Sequence, residues 1–323
     1  MLQRIKIISL LAIALPLVSY ANNLCTVEQI IDTPVAKRSL KIQFPGGRRI
    51  LIVGHEHGLA GSKFLLSDLV NQNIETLSNS DFTKKVSSII DLERHTILEQ
   101  RQDLVFLKDH ATKESDIKFI GLEYPQERIR SQFLNMAKFQ SDLLRQTNLR
   151  NISFSNPYQD SVLLFFNATF YLKMTEPKYL IGYELAGFDS ENLIRKNWIA
   201  YKAIIDMRKN IGEIRPDILN IFATIENSFL ELYPTYELNN NDNNILNLIK
   251  KQISYQDKEI IDNWISVQLQ EMKASKRRDE FFAQRMLSRN QSGILFIGKR
   301  HLHSIAGILK KKCELSINSN RRI

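Results

Sequence analysis

Four short apolar runs in this chain end in the same way. They read IVGHEH (Ile52 to His57), FIGLEYP (Phe119 to Pro125), LIGYELAG (Leu180 to Gly187) and FIGKRHLH (Phe296 to His303): buried-type residues, then glycine, then polar chemistry. Runs of this length read as buried strands, and amphipathic stretches with apolar residues at three-and-four spacing separate them. Strand alternating with long helix is the signature of an α/β fold with a largely parallel central sheet. In such a sheet the carboxyl ends of the strands open into one crevice. The four endings would therefore bring side chains from distant parts of the chain together.

The endings are chemically loaded. Four of the six histidines (His55, His57, His301 and His303) fall in the first and last of them. In the first three, a glutamate stands two places after the glycine: Glu56, Glu123 and Glu184. Imidazoles and carboxylates sharing a pocket suit a divalent metal or a general base. In an extended chain His55 shares a side with His57, and His301 with His303, because alternate strand residues point the same way. Any one ending taken singly reads as a helix cap, an ion pair or a surface histidine; the coincidence of all four argues for a site. His95 and His110 fall in charge-rich helical stretches without evident partners and read as structural or surface residues.

The start of the chain sets its context. MLQRIKIISLLAIALPLVSYANN has Arg4 and Lys6, an apolar stretch from Ile7 to Val18, and small residues at Ser19 and Ala21, the pattern of a secretory signal peptide cut near Ala21. The apolar stretch is shorter than the roughly 20 residues of a membrane span. The expectation is an exported protein, periplasmic or secreted, with no stable membrane span, whose residues 22–323 make one α/β domain with a helical insertion around 190–275. Only Cys25 and Cys313 are available, and in an exported chain that pair suggests a disulfide. The net charge of +9 is scattered in pairs such as Lys84-Lys85, with one run at Lys310 to Lys312 and no interleaved aromatics. A nucleic-acid groove needs a patch, so no nucleic-acid partner is expected.

Locally, SLKIQF and RRILIVG flank PGG and read as a hairpin leading into the first central strand. Further strands are expected at Ile117 to Leu122, Tyr179 to Tyr183 and Ile294 to Ile297. Helices are expected over 81–100, 128–144, 161–174, and much of 190–230 and 244–287, broken by the polar stretch YPTYELNNNDNN.

Taken in order, GHEH (Gly54 to His57), FIGLEYP with Glu123, RRDEFFAQRM with Arg278 and Asp279, and GKRH (Gly298 to His301) resemble the motif set shared by the TraB/PrgY/TIKI proteins, with the erythromycin esterases and ChaN-like proteins as relatives. The resemblance covers nearly the whole chain after the leader. It implies two pseudo-symmetric halves whose Gly-x-x-His ends face a common cavity. One branch holds a divalent metal there and cleaves peptides; the esterase branch activates water without an obligatory metal. Carried onto this chain, it implies a hydrolase of a peptide or small ester, with His57 and His301 as the motif histidines and Glu123 and Arg278 in catalysis; Glu56 and His55 are further catalytic candidates that the strand ends themselves offer. His57, His301, Glu123, Glu184 and His303 become the candidate ligands of an ion such as Mn, Co, Zn or Fe, and Arg278 the stabiliser of an oxyanion. This chain departs from the pattern at His55, where Thr or Glu is usual, and at Asp279, where Asn is usual. A haem- or partner-binding protein without catalysis is the alternative, with Tyr124, Tyr183 and the histidines as iron ligands in the haem case.

Overall fold

The computed structural model describes residues 25–29, 38–55, 60–72, 74–114, 116–152, 156–164, 167–238, 242–251 and 257–319. The expected leader, its cleavage point, Glu56 and His57 lie outside the described residues.

A mixed six-stranded sheet forms the centre, in the order β1 (Thr26–Gln29), β2 (Ser39–Gln43), β3 (Arg49–His55), β6 (Ser292–Gly298), β4 (Ile117–Pro125) and β5 (Glu184–Asp189). The hairpin expected around PGG is present: β2 and β3 are antiparallel, and Gly46 and Gly47 take the positive φ values the turn requires. The β3–β6, β6–β4 and β4–β5 pairings are parallel. Nearly every residue of β3 and β6 is buried, as expected of strands covered on both faces.

Alternation of side chains sorts the sheet into two cores. Leu51, Val53, Ile120, Leu122, Ile294 and Phe296 pack toward the helices of the first half: α1 (Ala60–Asn71), α2 (Asn79–Leu92), α3 (Arg94–Lys113), α4 (Ile129–Leu149), α5 (Asn156–Leu164) and α6 (Ala168–Thr175). Ile50, Ile52, Phe119, Phe188, Leu295 and Ile297 face the other way, and Phe282, Met286, Ile305 and Leu309 cover them. Those four residues belong to α10 (Lys258–Ser288) and α11 (Lys299–Ser319). A third core joins α7 (Glu191–Ile214), α8 (Leu219–Leu232), α9 (Asp242–Lys251) and the first half of α10. At its centre the Phe222 and Trp264 rings stack with centroids 4.0 Å apart.

Three expectations are corrected. The stretch 81–100 is shared between two helices, α2 and α3, because the chain leaves helical geometry at Glu93. The stretch 161–174 is two helices rather than one, because Asn167 adopts an extended conformation and its side chain accepts the Phe170 N–H at 3.0 Å, starting a new helix. The strand expected at Tyr179 to Tyr183 is instead a 3-10 turn from Pro177 to Leu180, followed by Gly182 at φ 86. That left-handed glycine turns the chain, and the strand begins only afterwards at Glu184.

Close packing across the sheet explains one more glycine. A Cβ at Gly293 would lie 2.3 Å from the ring of Phe119, which is fully buried and has nowhere to move. Gly293→Ala should destabilise the fold by about 1–3 kcal/mol. Urea unfolding monitored by tryptophan fluorescence measures it; an unchanged midpoint would mean that the β4–β6 face yields more than this packing allows.

The ends of the chain meet as expected: Cys25, at the start of β1, and Cys313, in α11, form a disulfide with Cα atoms 5.3 Å apart, buried in the second core. Among the described residues no helix is long and apolar enough to cross a membrane.

Candidate functional site

Parallel pairing aligns the ends of β3, β6, β4 and β5 along one sheet edge, with His55 directly opposite Gly298. From left to right this edge carries His55, Gly298, Glu123 and Asp189. The register also explains why Glu184 is elsewhere. It pairs with Phe119 at the start of β5, at the amino edge, where it is half exposed and held by Arg289 through two hydrogen bonds of 2.9 Å. The place expected for Glu184 belongs to Asp189, which sequence reasoning missed because the strand was read one turn too early.

Glu123 is the hub. Alternation from Phe119 through Gly121 turns it toward α10 and α11. Its Oε2 accepts the Gly298 N–H at 2.7 Å, at the amino end of α11, where the helix dipole favours a negative charge. Its Oε1 accepts from the Arg278 guanidinium at 2.6 Å and lies 3.5 Å from His301 Nε2. Arg278 also donates through Nε to Asp189 at 3.1 Å and through a second nitrogen to Asn197 of α7 at 3.2 Å. Its planar fork thus joins the ends of two strands.

His301 stands in the first turn of α11 between two carboxylates. Nδ1 hydrogen-bonds Asp279 of α10, whose other oxygen accepts from the Tyr233 hydroxyl at 2.6 Å. The ring meets Phe282 edge-on. All of these groups are nearly or fully shielded from solvent: Asp189 and Asp279 expose nothing, Glu123 and His301 8% of the side chain, and Arg278 11%.

Burial and charge pull the ionisations in opposite directions. Burial is the largest influence on His301 and disfavours its cation, but Asp279 and Glu123 together outweigh it and hold the pKa above the ordinary 6.5. For Arg278, burial is likewise outweighed by Glu123 and Asp189, which keep the guanidinium charged. At Asp189 the balance reverses, and burial pushes the pKa up despite Arg278.

His55 belongs to a second cluster on the opposite face of the sheet. It is buried and stacked on Phe296, with Nδ1 3.4 Å from Asp103 of α3. Asp103 pairs with Arg38 at 2.8 Å, and Arg38 donates to the Gly54 carbonyl at 2.6 Å. No sequence pattern pointed to Arg38 or Asp103. His55 and His301 thus share an edge but are separated by the sheet. His303 is corrected as well: the chain after Gly298 is helix rather than strand, so His303, two residues on, faces outward and is exposed. His95 is exposed, as expected, but both helical histidines have partners: His95 Nδ1 lies 4.0 Å from Glu99, and His110 Nδ1 lies 2.9 Å from the Phe106 carbonyl with its ring against Phe106.

No protein-family model, curated protein or solved structure matches the chain.

For a metal, the test is whether the donors are disposed toward an ion. Among the described residues no three His, Cys, Asp or Glu side chains are grouped to hold one. The oxygens of Glu123 are committed to Arg278 and the Gly298 amide, and a guanidinium already supplies the positive charge an ion would bring. For haem, Tyr124 and Tyr183 stand at opposite edges of the sheet. Tyr124 follows Glu123 and stacks on Phe170, and burial pushes its pKa up to about 12. Tyr183 precedes β5 at the amino edge, and burial together with Glu114 and Asp116 raises its pKa.

What the arrangement can do is move a proton. With Asp279 accepting from Nδ1–H, the lone pair of neutral His301 is on Nε2, facing Glu123, and the imidazolium formed there lies between two anions.

Proposed function

We propose that the chain is a hydrolase that attacks an ester or peptide carbonyl with water activated by His301. The observation that carries this reading is the buried line Tyr233, Asp279, His301, Glu123, Arg278, hydrogen-bonded at each step but one, where His301 Nε2 stands 3.5 Å from Glu123. Asp279 fixes the ring and its tautomer, as the carboxylate does in a hydrolytic triad. His301 Nε2 takes the proton of a water admitted beside Glu123. The Glu123 carboxylate, held by Arg278 and the Gly298 amide, stabilises the resulting imidazolium, which returns the proton to the leaving group. Arg278 positions Glu123 and Asp189, since all three of its nitrogens already donate to neighbours. Four of its five N–H groups are held in this way, which leaves one for the oxyanion role that the resemblance implies.

This is the metal-independent, erythromycin-esterase-like form of the resemblance, and the signal-like leader and the terminal disulfide support an exported protein as its setting. The metal-dependent form would add His57 to His301 and Glu123. Turnover of a panel of ester and peptide substrates by the exported protein, with and without chelator, tests the reading. Chelation should leave the rate unchanged, His301→Ala should lower it about a thousandfold, and the exposed His95→Ala should match the parent. A chelator-sensitive rate restored by a divalent ion would replace this form with the metal-dependent one, and full activity in His301→Ala would overturn both.

A further inference from the structure

Helix α7 has two apolar sides, and the fold uses only one of them. Ile204, Met207 and Ile211 pack into the third core. The other side carries Trp198, Ile199, Tyr201 and Ile205, which are exposed by 53%, 62%, 45% and 44%. Trp198, Tyr201 and Ile205 follow at three-and-four spacing and so form one stripe along the helix. The Trp198 and Tyr201 ring centroids lie 6.0 Å apart. Single exposed apolar residues are ordinary on a protein surface, whereas a contiguous stripe with two aromatic rings marks an interaction site.

The borders of the stripe are basic. Arg195, Lys202 and Lys209 stand seven residues apart and line one side of it, and Arg208 lies on the other. From 195 to 209 there are five cations, Lys196 included, and one carboxylate, Asp206. Asp206 pairs with Lys202, and Glu226 of α8 reaches Arg208 at 3.4 Å. Glu191, at the start of the helix, pairs with Arg128, and the exposed Glu213 lies one turn past Lys209. Arg195, Lys196 and Lys209 are exposed, and among the described residues no carboxylate lies within 4 Å of them. A stripe of Trp, Tyr and Ile bordered by Lys and Arg is the pattern of a helix that lies in a membrane interface, its rings at head-group level and its cations on acidic lipid. A second copy of the chain suits this surface less well, because a two-fold contact would set the same cations against one another.

We propose that α7 docks on the surface of an anionic lipid bilayer, with Trp198, Tyr201 and Ile205 entering the head-group region and Arg195, Lys202 and Lys209 on lipid phosphates. The inference is independent of the hydrolytic reading, because it needs neither His301 nor turnover. Docking would set beside the lipid the helix that borders the candidate site, since α7 begins directly after Ser190 and its Asn197 accepts from Arg278.

Co-sedimentation of the full chain with vesicles tests it, comparing phosphatidylcholine alone with an equal mixture of phosphatidylcholine and phosphatidylglycerol. The mixed vesicles should bind at least tenfold more tightly, and high salt should abolish the preference. Trp198→Ser should weaken binding about tenfold or more, and Arg195→Gln/Lys209→Gln roughly thirtyfold. Leu92→Ser and Lys84→Gln, both at exposed positions of α2, should bind as the parent does. Trp198 emission should shift to the blue on mixed vesicles, against the constant emission of the other tryptophan, the fully buried Trp264. If Trp198→Ser fails to fold, this shift in the parent decides in its place. Absence of binding, equal binding to both vesicles, or unchanged binding in Trp198→Ser would each overturn the assignment. So would a concentration-dependent dimer that Trp198→Ser breaks and vesicles do not affect, which would give the surface to a second copy.

Discussion

Reduction of the Cys25–Cys313 disulfide should lower the stability of the folded chain by roughly 5 kcal/mol. The bond joins residues 288 apart, so in the unfolded state it closes almost the whole chain into one loop. Chain-entropy arithmetic gives the largest effects for the longest loops, because an open chain has the most end-to-end freedom to recover. Both cysteines are buried in the core that packs β1 and α11 against the sheet, so an alanine pair also removes sulfur atoms from contact. The expected drop in Tm is on the order of 10 °C for a domain of this size. Calorimetry of the oxidised protein against Cys25→Ala/Cys313→Ala measures it. A shift of under 2 °C would mean that the ends hold together without the bond.

Arg278 should show the second large effect. Removing one partner of a buried ion pair leaves the other charge uncompensated, which costs about 3–5 kcal/mol. Here a single guanidinium serves both Glu123 and Asp189, and Asp189 is fully buried. Arg278→Leu should therefore lie at the upper end of that range at pH 7. Its cost should shrink at low pH: stranded carboxylates have raised folded-state pKa values, so the folded variant takes up protons that the unfolded chain does not. Arg278→Lys keeps the charge but cannot reach Asp189, Glu123 and Asn197 at once, and should fall between parent and leucine. Urea midpoints at pH 7 and pH 5 decide the point. Equal stability of Arg278→Leu and the parent at both would contradict the hub described for Glu123.

Much of this edge was legible from the chain. The apolar-glycine-polar endings located three of the four parallel strands and placed Glu123 and His301 together, because buried strands and their ends leave a strong local pattern. Arg278 and Asp279 came into view through the resemblance. Glu184 and His303 were misplaced for local reasons: Gly182 at positive φ delays β5, and α11 begins immediately after Gly298. Asp189, Arg38 and Asp103 could not be found, since each is an unremarkable charged residue whose meaning comes from partners up to 89 residues away. The separation of His55 from His301 by the sheet is likewise a matter of pleat and packing, which the histidine pattern alone does not carry.

His301 is a buried base held between Asp279 and Glu123. Because its folded-state pKa is raised above 6.5, the protonated form contributes stability that is complete below the unfolded-state pKa and is lost as pH rises through the folded-state value. A ¹⁵N-detected titration of the His301 ring reads the site directly and needs no substrate. The midpoint should lie above 6.5, with Nδ1 still protonated in the neutral form and Nε2 the nitrogen that loses the proton. A midpoint at or below 6.5, or neutral His301 carrying its proton on Nε2, would contradict it.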